Sequence, residues 1–163
     1  MKITDVRTHL IDQYMFVQVD TDEGISGVGE SGAWAFLEAS KEAVETFKRY
    51  LIGQDPLLIE HHWQYMYRCY HFRGAAIMGA LSAIDIALWD IKGRYYGVPC
   101  YELLGGKVRH KARVYYHVFG SSGEELIQGC KEAKARGFKA VGHLTPFVDS
   151  DRREVMKMES FAT

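Results

Sequence analysis

His117 closes the run Val114-Tyr115-Tyr116-His117, and His143 stands between Gly142 and Leu144. Both follow stretches with strand character, and a strand end can present an imidazole as a proton carrier or as a hydrogen-bond partner. A histidine that merely ties down a strand end leaves the same trace in sequence. His61 and His62 are direct neighbours, not the i, i+4 pair that shares one metal ion on a helix, so surface or packing roles suit them. Cys69, Cys100 and Cys130 are odd in number and far apart, without the C-x-x-C spacing of a zinc or redox site. Reduced thiols and a cytoplasmic location are the expectation. Gly27-x-Gly29-x-x-Gly32 has the spacing of a dinucleotide loop but lacks a surrounding strand-helix-strand unit, which makes it a weak signal.

The elements that must position these groups are legible from periodicity. Residues 2–11, Tyr14–Val19 and Ile25–Glu30 read as three strands, the second alternating Met15, Val17 and Val19 against Phe16 and Gln18. Thr21-Asp22-Glu23-Gly24 supplies a turn, so an antiparallel meander is predicted. Leu37, Val44, Phe47 and Leu51 give residues 36–51 a helical apolar face, stopped by Gly53. Asp55-Pro56 predicts the start of a second helix, with Ile59, Trp63, Met66 and Tyr70 inward. Ile77, Leu81, Ile84, Leu88 and Ile91, flanked by Ala76, Ala80, Ala83 and Ala87, predict a buried helix that ends at Gly97-Val98-Pro99. A strand over 113–119, a helix over 123–136 with Leu126, Ile127, Cys130 and Ala133 on one side, and a strand over 138–144 predict a parallel βαβ unit.

The chain has 163 residues and a formal net charge of −1. That length suits an ordinary domain, whereas a (β/α)8 barrel needs about 250 residues. The near-neutral balance, without a basic block, argues against nucleic-acid binding. No apolar run approaches a membrane span, and the first residues lack signal-peptide character.

The stretch Ala80 to Gly106, ALSAIDIALWDIKGRYYGVPCYELLGG, closely resembles the N-terminal region of the mandelate racemase and muconate lactonizing branch of the enolase superfamily. The opening MKITDV, Gly27-Val28-Gly29-Glu30, Ile52-Gly53-Gln54-Asp55-Pro56, and Trp63 with Met66-Tyr67-Arg68 add to it, most of all toward the acid-sugar dehydratases of galactonate and mannonate type. Cys100 departs from the pattern, standing where an aliphatic residue is usual. The resemblance implies an α+β capping domain over 1–109, a three-stranded antiparallel meander plus helices. It further implies the first βαβ unit of an incomplete (β/α)8 barrel over 110–148, and then a polar tail, 149–163.

The same resemblance implies Mg²⁺-dependent abstraction of the proton α to a carboxylate, followed by loss of water from an aldonate, a small sugar-acid substrate. The family draws its three metal carboxylates from the third, fourth and fifth barrel strands and its His-Asp pair from later ones. No residue of this chain maps onto them, so no metal ligand is assigned and a truncated, inactive chain is expected. By alignment of Gly137-Phe138, the Lys-x-Lys positions of some relatives fall on Gly142 and Leu144, which carry no base. His143 between them is the one weak catalytic candidate, and strand alternation turns it toward the helices. His117 matches a substrate-contacting histidine of mannonate dehydratase-like relatives. Tyr14 and Trp34 fall in two specificity loops near 12–14 and 31–34, and Arg73 of His71-Phe72-Arg73-Gly74 adds a cation suited to a carboxylate. Packing roles remain open for all three. The alternative class is a non-catalytic binding or assembly module, and open strand edges imply homo-oligomerisation or self-association.

Overall fold

The computed structural model describes residues 1–34 and 36–142. It contains two compact units, Met1–Val108 and one beginning at Arg109.

In the first unit, β1 (Ile3–Ile11), β2 (Tyr14–Thr21) and β3 (Ser26–Ser31) form an antiparallel sheet in the order β1-β2-β3. The alternation in β2 acts as expected: Met15, Val17 and Val19 are fully buried beside Val6 of β1. On the outer face the charged end of the sheet is tied by Arg7 to Asp20. Gly24, at φ 74, closes the second hairpin, where the Thr21 hydroxyl donates to the Ile25 carbonyl at 2.7 Å.

Helix α1 (Leu37–Leu51) lays Leu37, Val44, Phe47 and Leu51 on the sheet. Lys48 then reaches Asp5 of β1 at 2.6 Å, and this contact chiefly holds the Asp5 carboxyl below the ordinary carboxylate range. The turn after α1 covers the start of β1, with the Ile3 N–H donating to the Gln54 carbonyl at 2.9 Å.

Asp55-Pro56 does not open the next helix. Asp55 Oδ1 accepts from the Leu57 N–H at 2.9 Å and its carbonyl from the Leu58 N–H at 3.2 Å, a separate turn, and α2 (Ile59–Arg68) starts after it. Ile59 and Met66 are buried and Trp63 packs against the core as expected. Tyr70 lies beyond the last turn and is exposed. His62 is fully buried: Nε2 lies 2.7 Å from the Asp55 carbonyl and Nδ1 2.9 Å from the Tyr50 hydroxyl of α1. It therefore ties α2 to α1 and to the preceding turn, and burial pushes its pKa below the ordinary histidine value.

Helix α3 (Ala75–Tyr96) packs along β3. A Cβ on Gly27 would overlap the Ala87 carbonyl oxygen, and one on Gly29 the Ala83 carbonyl oxygen. The two glycines of the dinucleotide-like spacing thus admit a helix backbone. Asp90 of α3 also accepts from the Val28 N–H at 3.1 Å and is held by Arg94 at 3.0 Å, which satisfies an outward donor of the β3 edge. Gly97 ends α3 at φ 67, and α4 (Cys100–Leu103) follows. The unusual Cys100 fits here for a steric reason: its thiol donates to the Trp89 carbonyl at 3.3 Å and lies against Gly93, where a Cβ would come 3.2 Å from the sulfur.

In the second unit, β4 (Tyr116–His117) and β5 (Val141–Gly142) pair in parallel across α5 (Gly123–Ala135). The βαβ unit is as predicted, but β4 is shorter than residues 113–119, because only Tyr116 and His117 find ladder partners among the described residues. Ser122 caps α5 by accepting from the Glu125 N–H at 3.2 Å, and Glu125 accepts in turn from the Ser121 N–H at 2.7 Å. Ala133 is buried and Leu126 and Cys130 are half-buried, whereas Ile127 points outward. Gly137 stops the helix at φ 88. His143, Leu144 and the tail 149–163 lie outside the described residues.

Two outcomes follow from this packing. Replacing Gly29 with alanine forces helix and strand apart and should cost about 3 kcal/mol in urea unfolding, against a few tenths for Gly32→Ala, which meets open space. Because the folded pKa of His62 is lowered, its contribution to stability is intact above its ordinary value of 6.5 and is lost as pH falls from there through the folded pKa. The melting temperature should drop between pH 7.5 and pH 5, and His62→Gln should flatten that part of the profile.

Candidate functional site

Two of the sequence-derived candidates, Tyr14 and Trp34, belong to one end of the cap. β1 and β2 are joined by Asp12-Gln13, with Asp12 at φ 53, and β3 ends at Ser31 opposite Met15. The 12–14 and 31–34 segments therefore emerge side by side from the sheet. Tyr14 is half-buried and its hydroxyl accepts from Gln13 Nε2 at 3.0 Å. Trp34 is 56% exposed, and its backbone N–H donates to the Gly32 carbonyl at 3.1 Å. A Cβ on Gly79 would meet the Ser31 hydroxyl and the Ala33 side chain, so the first turns of α3 abut this same end.

Arg73 precedes α3, yet its charge is turned elsewhere. The guanidinium lies 4.1 Å from the Tyr67 ring centroid, Nε donates to the Tyr67 carbonyl at 2.7 Å and Nη1 to the His71 carbonyl at 3.4 Å. These contacts staple the 67–74 loop and place Arg73 on an open cleft of about 620 Å³ shared with α1 and the end of α2. The fold thus gathers Tyr14 and Trp34 on one rim and sets Arg73 beside a different hollow.

His117 belongs to the second unit and is exposed at the end of β4. Its ring stacks on Tyr115 at 4.9 Å and meets Phe119 edge-on at 5.8 Å, so Tyr115, His117 and Phe119 form a row on one face of the strand. The opposite face carries Val118, buried against Gly129 of α5, and Tyr116, whose hydroxyl accepts from Arg136 at 2.9 Å. His117 consequently faces away from the helix, the side that lines the interior when such units close into a barrel. Gly142 presents its bare α-carbon to the Tyr115 ring, where a Cβ would come within 2.6 Å. The flanking aromatics were missed in the sequence reading, although their i, i+2 spacing on a strand was available as a signal.

Asp85 was also missed. It stands in the apolar middle of α3, between Ile84 and Ile86, on a cleft shared with Glu60 and Trp63 of α2, and burial, with the Glu60 charge nearby, raises its pKa. A carboxyl at an apolar helical position was the available signal. Two carboxylates are too few for a magnesium shell. Among the described residues no three Asp, Glu, His or Cys side chains converge on a metal position. The described residues therefore do not fit a magnesium site. No helix among them is long and apolar enough to cross a membrane.

The likenesses to known proteins agree with this architecture. Residues 2–105 match the family model of the mandelate racemase / muconate lactonizing enzyme N-terminal domain. The D-galactonate dehydratase of Ralstonia pickettii (strain 12J) is 48% identical over 140 residues, which are 85% of this chain and 37% of that protein. The D-galactonate dehydratase of Variovorax paradoxus (strain S110) is 47% identical over 130 residues, 78% of this chain and 34% of that protein. An enolase from Pantoea ananatis, crystallised with bound D-gluconate and Mg, superposes with a TM-score of 0.80 at 35% identity, covering 86% of this chain and 35% of that one. A member of the enolase superfamily from Salmonella Typhimurium gives 0.79 at 34% identity, covering 86% and 41%. The chain spans little more than a third of the length of the curated relatives it matches. With its meander, its α3 packing and the start of a parallel α/β unit all in that pattern, the chain belongs to the mandelate racemase / muconate lactonizing enzyme family of the enolase superfamily.

Proposed function

We propose that this chain supplies the cap and the opening βαβ unit of an acid-sugar dehydratase, acting on an aldonate of the galactonate class, and that these 163 residues do not perform the dehydration alone. The observation that carries the reading is the 48% identity to a D-galactonate dehydratase, set beside the lack of a metal-binding cluster among the described residues. The domain division follows the sequence reading, with a cap over 1–109 and the barrel start over 110–148. In the reaction the aldonate loses its α-proton and its β-hydroxyl as water, and the resulting enol tautomerises to an α-keto acid.

The proposed roles here are binding and exclusion of water. Tyr14 and Trp34 close over the substrate from the rim of the cap, where two aromatic faces remove water from the reacting carbons at little entropic cost. His117, at the C-terminal end of β4, meets a substrate hydroxyl or carboxylate as a hydrogen-bond partner, while Tyr115 and Phe119 hold its ring. Arg73 contributes charge only if its loop contacts to Tyr67 and His71 are released. His143, outside the described residues, keeps the weakest place as a proton carrier.

The test is a pair of assays for α-keto acid formation from D-galactonate with Mg²⁺. The purified chain should be inactive. A chimera in which it replaces the matched 140 residues of the Ralstonia pickettii enzyme should be active. In that chimera Trp34→Ala should raise KM about tenfold, with a smaller effect on kcat. Turnover by the chain alone, or a folded chimera without activity, would contradict the proposal.

A further inference from the structure

Glycine inside a helix is unfavourable next to alanine, and α3 carries one near its start at Gly79, among Met78, Ala80 and Leu81. The structure shows what occupies the space of the missing side chain. A Cβ there would come 2.6 Å from the Ser31 hydroxyl and 2.7 Å from the Ala33 Cβ, on the segment that leads to Trp34. Carbon atoms in ordinary contact stand about 3.5 Å apart, so an added methyl would force helix and segment apart by roughly 1 Å.

The segment, not the helix, must take up that shift. From Ala80 onward α3 buries Ala80, Leu81, Ala83 and Ile84, and it is held against β3 at Gly27 and Gly29. Residues 32–34 have less to hold them. The last ladder pair of β3 is Ser31 with Met15. Beyond it the Ala33 N–H donates to Ser31 Oγ at 3.3 Å and the Trp34 backbone N–H to the Gly32 carbonyl at 3.1 Å, and both bonds stay within the segment. The bare α-carbon of Gly79 supplies the surface on which Ala33 and the fully buried Ser31 rest.

We propose that Gly79 is a positioning residue for substrate: it sets the place of the 31–34 segment and thereby the reach of Trp34 toward the sugar acid. The effect on substrate rests on the dehydratase reading, whereas the placing of Trp34 by Gly79 does not depend on it. Gly79 itself touches no substrate. Its influence passes through Ala33 to the neighbouring Trp34, and a rim displaced by about 1 Å loses binding contacts without disturbing the groups that move the proton.

Two measurements on Gly79→Ala test it. In the purified chain, proton–nitrogen correlation spectra give an indole N–H signal for each of Trp34, Trp63 and Trp89, and Trp34→Phe assigns the first. Gly79→Ala should move the Trp34 signal and leave the other two in place, since Trp63 lies on α2 and Trp89 farther along α3. In the chimera with the Ralstonia pickettii enzyme, Gly79→Ala should raise KM for D-galactonate about fivefold, with kcat held within about twofold. Ser31→Ala with Ala33→Gly removes the two opposing atoms, and in that background the same change should leave KM within about twofold and the Trp34 signal unmoved. A Trp34 signal indifferent to Gly79→Ala, or a shift of all three signals together, would overturn the proposal whether or not the chimera turns over. So would an active chimera in which KM stays constant, kcat carries the loss, or trimming residues 31 and 33 makes no difference. An inactive chimera with the Trp34 signal displaced counts against the dehydratase reading and supports the placing of the rim by Gly79.

Discussion

The contact on which the cap depends is backbone against backbone. Gly27 and Gly29 of β3 leave no room for a side chain beneath the Ala87 and Ala83 carbonyls of α3, so helix and strand approach more closely than ordinary side chains permit. That approach lets Leu81, Ile84, Leu88 and Ile91 reach past the strand and fill the space between sheet and helices with almost no exposed area. Asp90 then closes the outer edge of β3 by taking up the Val28 N–H. A helix with apolar residues nearly all round could pack in several ways. The small residues select one.

This seam also fixes what the cap can present. Since α3 runs back along β3, its first turns come to rest at Ser31 and Ala33, where the sheet ends and the 12–14 and 31–34 segments emerge. The aromatic rim of Tyr14 and Trp34 is therefore held by the most buried part of the fold, although the rim residues themselves are exposed or half-exposed. At the other side of α1, His62 performs a comparable task with polar atoms, joining Tyr50 and the Asp55 turn through one buried imidazole. A neutral ring can donate through one nitrogen and accept through the other, which a protonated ring cannot.

Much of this was legible in the residues. Strict alternation in Met15-Val17-Val19 and the three-four spacing from Leu81 to Ile91 define faces that the structure buries as expected. Local turn chemistry was harder to read: Asp55-Pro56 has the composition of a helix start, yet Asp55 spends its carboxylate on Leu57 and delays the helix. The burial of His62 was not readable, because adjacent histidines on an amphipathic helix leave open which one turns inward. Nor was the direction of Arg73, since cation-π and carbonyl contacts within a loop depend on where Tyr67 sits. The spacing of Gly27 and Gly29 is the same in a phosphate loop and in a helix seat, and only the approach of the α3 backbone separates the two.

The central claim is that the α3-β3 seam makes the cap one cooperative body, with the chemistry of the proposed enzyme placed beyond it. Native-state hydrogen exchange on the full chain tests this most directly. Amides of α3 from 80 to 91 and of β2 and β3 should exchange together, through the same highest-energy opening, while those of β4 and α5 exchange through a smaller one. Exchange of α3 by a separate, lower-energy opening while the sheet stays protected would contradict the account.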